Sequence, residues 1–337
     1  MKTEKKKVAL VGCGHISALH LSALTAREDV YITALCDTDA EKARTAAVTY
    51  APSAALYTDF KTMINEVRPY ALHICTPHYL HAPMAIYALR HGVNVFLEKP
   101  LAVTAAEADA LIAAEKESTA RLCVCFQNRE NPTTKEAHRL AEEDGGVKAA
   151  YASVFWHRDE AYYKSGDWRG KYATEGGGVM INQAIHTLDL LCEFLGEPTE
   201  VTATTANHHL RGIIEVEDTC EGIIRFTDGK QANFYATTAG AGADATDILL
   251  MTEHEKIRLE SPYLYVCGRP AEIAEAGTRA GCALKECYGG GHKTLIDLFY
   301  RALADGAPMP VTAESAKRSL DILLAAYRSD GEPVSLK

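Results

Sequence analysis

The chain has 337 residues, more than one hydrophobic core usually supports, and this length predicts two domains. Its 45 acidic against 35 basic residues give a formal net charge of -10, which disfavours nucleic acid as a partner because phosphate backbones are repelled. The apolar run 8–11 is too short for a signal peptide, and no stretch approaches the roughly 20 apolar residues of a membrane span, so we expect a cytoplasmic protein without a membrane partner.

The first part of the chain alternates short apolar runs with helix-like segments. The predicted strands are 8–11, 31–36, 71–75, 93–97 and 122–126. The predicted helices are 16–26, 39–50, 60–67, 82–91 and 105–117. Strands that are apolar throughout and separated by helices indicate a parallel sheet covered on both faces, which is the doubly wound α/β fold. We assign this domain to residues 1–126.

The pattern changes in the second part, which we assign to residues 127–337. A helix at 133–143, a strand at 147–156 and a long helical run at 177–195 are predicted, followed by helices at 292–304 and 313–327 near the end. Between them lie predicted strands at 200–207, 220–226, 231–238, 247–251 and 256–259. Short turns such as Asp228-Gly229 between neighbouring strands favour a mainly antiparallel sheet.

Ten cysteines are scattered along the chain, at 13, 36, 75, 123, 125, 192, 220, 267, 282 and 287, without a C-x-x-C pair. Such spacing gives no sign of a zinc site or of thiol exchange. Several of these residues fall in predicted strands, where a free cysteine packs well. We therefore expect reduced structural thiols and no metal site.

A glycine-rich turn follows the first predicted strand and opens the first helix. Gly12 and Gly14 form the pattern G-x-G-x-x-S, which allows a tight turn and lets backbone N–H groups approach a pyrophosphate. Asp37 ends the second strand, where a carboxylate binds the ribose hydroxyls of NAD and repels the 2′-phosphate of NADP. Either Asp37 or Asp39 could instead cap the next helix, and we assign that role to Asp39. The sequence thus predicts NAD as the cofactor.

Two further elements predict catalytic groups. Lys99, in Glu98-Lys99-Pro100, follows a strand at the carboxyl edge of the predicted sheet, where ligands of such folds bind; a solvated loop is the alternative. Asn182, His186 and Asp189 have the spacing i, i+4 and i+7, which places them on one helix face. A polar stripe on so apolar a helix needs partners, although a hydrogen-bonded core histidine is the alternative for His186 taken alone.

Taken together, these elements resemble the Gfo/Idh/MocA family of oxidoreductases. The matching pieces are 8–17, Cys75-Thr76-Pro77 with His81, Glu98-Lys99-Pro100, 176–189 and 326–329. The resemblance implies a Rossmann domain and an α/β domain with a large open sheet, often used for oligomer contact. It also implies a site with a lysine, an aspartate and a histidine. Lys99 and His186 match that pattern, whereas the aspartate position holds Asn182, which cannot take a proton.

The predicted cofactor-binding residues are Gly12, Gly14, His15, Ile16, Asp37, Thr76, Pro77, His81, Glu98, Lys99 and Gln127. The predicted substrate-binding residues are Lys99, Arg158, Tyr162, Tyr163, Trp168, Asn182, His186 and Asp189. Aromatic rings beside hydrogen-bond donors suit a sugar, although a surface loop with anchoring aromatics explains the segments 156–163 and 167–170 equally well. His292 is a weaker pocket candidate.

These residues predict an NAD-dependent oxidoreductase that moves a hydride between nicotinamide and a hydroxyl of a sugar, polyol or sugar derivative. His186 would exchange the proton and Lys99 would stabilise the developing alkoxide. We expect a homodimer or homotetramer built on the open sheet. Two alternatives remain: a glycosidase that oxidises its sugar transiently with NAD, and a non-catalytic regulator that senses sugar or NAD.

Overall fold

The computed structural model describes residues 5–260, 262–271, 273 and 290–336. The chain divides into two compact units. The first comprises Met1–Ala102, Ala106–Gln127 and His292–Ala316, and the second comprises Val103–Ala105, Asn128–Gly291 and Lys317–Lys337. The segment 292–316 thus belongs to the first unit, although the boundary drawn from the sequence assigns it to the second domain. Cys282 and Cys287 lie outside the described residues.

The first unit is built on a six-stranded parallel sheet. Its strands are β1 Lys6–Val11, β2 Val30–Cys36, β3 Ala55–Tyr57, β4 Ala71–Ile74, β5 Asn94–Leu97 and β6 Leu122–Val124, in the order β3-β2-β1-β4-β5-β6. Every residue of β4 is buried, as the apolar pattern predicts for a strand covered on both faces. The predicted doubly wound fold is confirmed, and the short strand β3 is an addition to it.

Helices follow five of these strands. They are α1 Ser17–Thr25, α2 Ala40–Tyr50, α3 Phe60–Val67, α4 His81–Arg90 and α5 Ala105–Glu117. Aspartates fix the start of two helices, since Asp39 accepts a hydrogen bond from the Glu41 N–H and Asp59 accepts one from the Thr62 N–H. The role of Asp39 as a helix cap is therefore confirmed.

The second unit contains a nine-stranded mixed sheet. Its strands are β7 Ala149–Phe155, β8 Pro198–Ala206, β9 Thr219–Phe226, β10 Gln231–Thr237, β11 Ala245–Met251, β12 Lys256–Glu260, β13 Tyr263–Val266, β14 Arg269–Pro270 and β15 Val334–Ser335. Their order is β14-β13-β12-β11-β7-β10-β9-β8-β15, and only the pair β7–β10 is parallel among the described strands. The sheet is thus mainly antiparallel, as predicted.

The remaining helices are α6 Pro132–Glu143, α7 Glu160–Lys164, α8 Ile185–Leu195, α9 Gly291–Asp305 and α10 Ala313–Ser329. A π-helical turn at Met180–Ala184 precedes α8. The sequence predicts one continuous α-helix there, and the correction matters because a π turn changes which residues share a face. Within the described part of the chain, no helix combines the length and apolarity that crossing a membrane requires.

Candidate active site

The glycine turn of the first unit has the geometry that the sequence predicts. Gly12 has a φ of +88°, and a Cβ there would lie 2.6 Å from the backbone carbon and oxygen of Cys75. Only glycine therefore allows β1 and β4 to approach so closely at this edge. Gly14 faces open space, and no described side chain caps the first turn of α1. This helix terminus can accept an anionic group such as a pyrophosphate.

Asp37 lies at the end of β2 beside that turn. Its Oδ2 atom accepts a hydrogen bond of 2.8 Å from the Cys13 N–H, and its Oδ1 atom accepts one of 2.9 Å from the Asp39 N–H. These bonds hold the half-buried carboxylate at the turn. Each oxygen keeps lone-pair capacity for a ligand hydroxyl, so the residues present fit the adenosine ribose of a dinucleotide.

Glu98 and Lys99 follow β5. The Glu98 carboxylate is buried; its Oε1 atom lies 2.9 Å from His20 Nε2 and 3.7 Å from His292 Nε2, and its Oε2 atom accepts the Lys99 N–H at 3.2 Å. Burial alone would raise the pKa of Glu98, but the hydrogen bond from His20 and the nearby His292 ring lower it well below its ordinary value. An ionised Glu98 therefore anchors the backbone of Lys99, whose side chain is half-buried.

His81 and Gln127 are predicted cofactor-binding residues that the structure buries. The His81 ring bridges two loops, with Nδ1 at 2.7 Å from the Pro100 carbonyl oxygen and Nε2 at 2.9 Å from the Thr76 carbonyl oxygen. A neutral imidazole donates to only one of these carbonyl oxygens, and through that bond His81 supports the backbone around Thr76 or Pro100. A contact between His81 and the cofactor stays a prediction. A contact between Gln127 and the cofactor stays a prediction.

In the second unit, arginine and aromatic side chains alternate in one stack. The Arg158 guanidinium lies 4.7 Å from the Trp156 ring and 4.8 Å from the Tyr162 ring. The Arg169 guanidinium lies 4.4 Å from both the Tyr162 and the Trp168 rings. Cation–π contacts hold these side chains in a fixed arrangement. The structure thus brings together Arg158, Tyr162 and Trp168, three of the predicted substrate-binding residues.

Asn182 joins this stack through its side-chain amide. Its Nδ2 atom donates to the Tyr162 hydroxyl at 3.2 Å and to Glu175 Oε1 at 2.5 Å. Glu175 is fully buried, and its other oxygen accepts the Gly170 N–H at 2.5 Å. Sequence reasoning missed Glu175; its position directly before three glycines, at the start of the segment that carries Asn182, was the available signal.

Tyr163, one of the predicted substrate contacts, is a buried residue. Its ring is buried in an apolar cluster with Leu210, Ile214 and Val216, and its neighbour Tyr162, which also belongs to the stack, packs against this cluster. The two rings stand almost perpendicular, at 89°. Successive residues of a helix point in different directions, so Tyr163 enters the apolar cluster, whereas Tyr162 lies between that cluster and the two arginines. Tyr163 is therefore an anchoring aromatic.

Asp189, another predicted substrate contact, is also buried. Its buried carboxylate is bound bidentately by Arg129, with Nε to Oδ2 at 2.8 Å and Nη2 to Oδ1 at 2.5 Å. Burial raises the pKa of Asp189, and the adjacent Arg129 acts in the opposite direction. Because both carboxylate oxygens are committed to Arg129, Asp189 is a structural ion pair and is not exposed to a substrate.

His186 is the second residue of α8, directly after the π turn that carries Asn182. It lines a cavity of about 50 Å³ that also has Trp156, Gln183 and Asn131 in its wall. The buried amide oxygens of Gln183 and Asn131 have no hydrogen-bond partner among the described residues. The cavity has room for a few water molecules or one substituent of a ligand, and its open acceptors suit a hydrogen-bond donor.

Glu217 positions the segment that carries Asn182 and His186. Its Oε2 atom accepts the Gly178 N–H at 2.9 Å, and its Oε1 atom accepts the Met180 N–H at 3.0 Å and the Tyr327 hydroxyl at 2.9 Å. Sequence reasoning missed Glu217, because its partners are distant in the chain.

The three predicted catalytic residues are divided between the two units. Lys99 belongs to the first unit, and Asn182 and His186 belong to the second.

Two segments of the chain match models of a single protein family. Residues 6–126 match the model described as an oxidoreductase family with an NAD-binding Rossmann fold, and residues 135–258 match that of the GFO/IDH/MocA C-terminal domain. The two matches follow one another along the chain, and each lies in the part of the sequence that the resemblance assigned to the corresponding domain.

Curated relatives include D-apiose dehydrogenase of Paraburkholderia graminis, 29% identical over 202 residues that cover 59% of this chain and 52% of that protein. Inositol 2-dehydrogenase of Burkholderia multivorans is 28% identical over 192 residues that cover 57% of this chain and 55% of that protein. The matched region thus spans only about half the length of these relatives. Among solved structures, the WlbA dehydrogenase from Bordetella pertussis in complex with NADH and UDP-GlcNAcA is 28% identical, with a TM-score of 0.85 and 99% of each chain covered.

Proposed function

Because the chain belongs to the Gfo/Idh/MocA family of oxidoreductases, we propose that it is an NAD-dependent dehydrogenase acting on a hydroxyl of a sugar, polyol or sugar derivative. The observation that carries this proposal is the cluster of Arg158, Tyr162 and Asn182, which combines aromatic faces with hydrogen-bond donors. Two relatives named for D-apiose and inositol, and a similar structure holding UDP-GlcNAcA, support a substrate with several hydroxyl groups.

The cofactor is NAD, which supplies the hydride acceptor or donor when it is bound. Gly12 and Gly14 admit the pyrophosphate at the start of α1, and the Asp37 carboxylate accepts the ribose hydroxyls. A 2′-phosphate would meet that carboxylate, so we expect NAD to bind roughly tenfold more tightly than NADP, or better. Fluorescence titration measures both dissociation constants, and tighter binding of NADP would contradict the assignment.

We assign the proton chemistry to Lys99 and His186. Lys99 binds the reacting hydroxyl and stabilises the alkoxide, while His186 accepts the proton during oxidation and returns it during reduction. Asn182 orients a hydroxyl through its amide oxygen, because its Nδ2 atom already donates to Tyr162 and Glu175. It takes no part in proton transfer, since an amide exchanges no proton. The assignment requires Lys99 and His186 to reach the same substrate hydroxyl.

The experiment is an NADH absorbance assay with a panel of sugars, polyols and nucleotide-linked sugars. Lys99→Ala and His186→Ala are each expected to lower kcat by roughly 10²–10⁴-fold, with little change in NAD affinity. The double variant should lose less than the product of the two, since both groups act on one transition state. Lys116→Ala, at an exposed lysine, is the matched control.

Full activity of either single variant would contradict these roles. Release of an aglycone without net NADH formation would instead identify the glycosidase alternative. Binding of sugar or NAD without turnover of any compound in the panel would favour the regulator. The absorbance assay, combined with measurements of aglycone release and of ligand binding, therefore separates the three functions.

We further propose a homodimer or homotetramer formed through the large sheet, in the cytoplasm. Tyr151 and Phe155 on β7 and Tyr263 on β13 are large side chains left exposed on that sheet, and exposed aromatic residues are enriched in protein interfaces. The eight described cysteines are all free thiols, which suits a reducing compartment. A strictly monomeric species in light scattering at micromolar concentration would contradict the oligomer.

A further inference from the structure

Four buried side chains form a hydrogen-bonded chain behind Lys99. His20 of α1, His73 of β4, Tyr300 of α9 and Glu98 are at most 5% exposed, and all belong to the first unit. Glu98 Oε1 lies 2.9 Å from His20 Nε2, His20 Nδ1 lies 3.0 Å from His73 Nδ1, and His73 Nε2 lies 2.9 Å from the Tyr300 hydroxyl. Neither the cofactor site nor the proton chemistry assigned above uses the two histidines or the tyrosine.

When each imidazole carries a single proton, all the hydrogen bonds of this series must run in one direction, from donor to acceptor. An ionised Glu98 only accepts, so His20 donates from Nε2 and its Nδ1 atom becomes an acceptor. His73 must then donate from Nδ1, which leaves its Nε2 atom to accept the Tyr300 hydroxyl proton. Burial lowers the pKa of His73 well below its ordinary value and raises that of Tyr300 well above, so both groups stay neutral as this direction requires.

We propose that His20, His73 and Tyr300 are positioning residues for Lys99, acting through Glu98. Each hydrogen bond orients the next side chain, and the bond from His20 fixes the Glu98 carboxylate. The Oε2 atom of that carboxylate accepts a hydrogen bond from the Lys99 N–H. The inference rests on the proposed function of Lys99. The Glu98 carboxylate thus sets both the donor-to-acceptor direction of the hydrogen bonds and the position of Lys99.

A metal site is the competing interpretation of these residues. The ligand atoms of His20, Glu98 and Cys125 lie within 4.8 Å of one another. Metal binding would need the Cys125 thiolate, and burial raises the pKa of that thiol well above its ordinary value. The hydrogen-bonded chain also gives both His20 nitrogens a partner without an ion. We therefore favour the chain, and the metal becomes an outcome of the test.

The first test reads the tautomers directly, by NMR of the protein labelled with ¹⁵N-histidine. Signals of His20 and His73 are assigned by single substitutions, and the long-range couplings show which ring nitrogen carries the proton. We expect the proton on Nε2 in His20 and on Nδ1 in His73. The opposite tautomer of His73, or zinc bound near one equivalent per chain with loss of the His20 proton, would overturn the proposal.

Glu98→Gln sharpens this test, because an amide has one accepting and one donating end. Its oxygen is needed by the Lys99 N–H, so its NH₂ group faces His20 and donates to Nε2. His20 must then donate from Nδ1, and His73 must move its proton from Nδ1 to Nε2. An unchanged His73 tautomer in the Glu98→Gln variant would show that Glu98 does not set the direction of the chain, against the proposal.

The second test is kinetic and uses Tyr300→Phe, which removes one hydroxyl from the far end of the chain. We expect kcat to fall roughly fivefold, the effect of one lost hydrogen bond, with unchanged NAD affinity. Tyr87→Phe removes a surface hydroxyl that bonds Asn65 in the same unit, and it should leave kcat unchanged. His73→Gln has an amide that can donate and accept, whereas His73→Leu can do neither. If the two variants have equal melting temperatures, His73→Gln should retain more activity.

An unchanged kcat in Tyr300→Phe would overturn the positioning role even if the tautomers are as expected. If the wild-type protein oxidises no compound in the panel, the proposed function fails. The NMR experiment then still decides whether the chain exists, because it needs neither substrate nor cofactor. The two failures are therefore distinguishable.

Discussion

Glu217 gives a quantitative test of how the second unit holds its functional segment. This 3% exposed carboxylate accepts hydrogen bonds from the Gly178 and Met180 N–H groups and from the Tyr327 hydroxyl. Burial nevertheless raises its pKa to about 7, from an ordinary value of 4.5. Glu217→Gln keeps the shape of the side chain and removes the titration, so the variant isolates the contribution of this proton.

The expected magnitude follows from the difference between the folded and unfolded pKa values. The folded state binds the proton more tightly, so the stabilisation is fully present below about pH 4.5 and is lost as pH rises through about 7. A difference of about 2.5 pKa units corresponds to about 3 kcal/mol in the free energy of unfolding. The glutamine introduced by the substitution turns an NH₂ group toward a backbone N–H, which costs about 1–3 kcal/mol at any pH.

We therefore expect Glu217→Gln to be about 1–3 kcal/mol less stable than the wild type at pH 5, and the difference to close or reverse by pH 8. Urea denaturation followed by tryptophan fluorescence measures this, because the only two tryptophans, Trp156 and Trp168, both lie in the second unit. Glu221→Gln, at an exposed position of β9, is the control. If the difference in stability between the wild type and Glu217→Gln stays constant from pH 5 to pH 8, the pKa of Glu217 is not raised. The three hydrogen-bond donors would then offset the effect of burial on this carboxylate.

Three further substitutions test the cofactor turn and the buried ion pair. Gly12→Ala places a Cβ 2.6 Å from the Cys75 backbone at a φ of +88°, so it should lower both the melting temperature and NAD affinity. Gly14→Ala meets no protein atom within 4 Å and should weaken NAD binding alone; equal melting temperatures for the two variants would speak against this distinction. Asp189→Asn removes the buried carboxylate that binds Arg129 bidentately and should cost about 3–5 kcal/mol in urea denaturation. Replacing both residues by apolar ones should recover most of that loss, and a stability of Asp189→Asn close to that of the wild type would show that the pair carries no structural role.

The regular elements were predictable from the sequence because their patterns are local. Buried strands such as β4 and helices such as α3 follow from apolar runs and capping residues within a few positions. The π turn at Met180–Ala184 was not predictable, because its residues have the same apolar composition as the α-helix that follows. Strand β3 was missed because it has only three residues and two of them are exposed.

The site was predictable where the residues follow one another, and not where they meet across the chain. Arg158 and Tyr162 were recognised as a group because they share one loop and the following short helix. Glu217 and Arg129 were missed, since each acts on a partner far away in sequence and no spacing rule connects them. Asp189 has the spacing of a site residue, yet Arg129 turns its carboxylate into a buried ion pair.

The asparagine at position 182, where the resemblance implies an aspartate, has a physical reason in this chain. The Asn182 amide donates to Glu175 Oε1 at 2.5 Å, and Glu175 is fully buried. An aspartate at 182 would place a half-buried carboxylate against the buried one, and two carboxylates in contact disfavour ionisation of both. Asn182→Asp should therefore destabilise the protein, by about 2–4 kcal/mol at pH 8, and less at pH 5, where protonation of one carboxyl relieves the repulsion.

A double-mutant cycle tests this explanation. Asn182→Asp combined with Glu175→Gln restores one donor and one acceptor in the same places, so the pair should recover most of the stability that Asn182→Asp loses. Glu175→Gln alone should also be destabilising. Its single amide oxygen can accept from the Gly170 N–H or from Asn182 Nδ2, and its NH₂ group then faces the other donor. The coupling free energy from urea denaturation at pH 8 should be favourable by about 1–3 kcal/mol. Additive effects, with no recovery in the double variant, would mean that Glu175 does not select asparagine at this position.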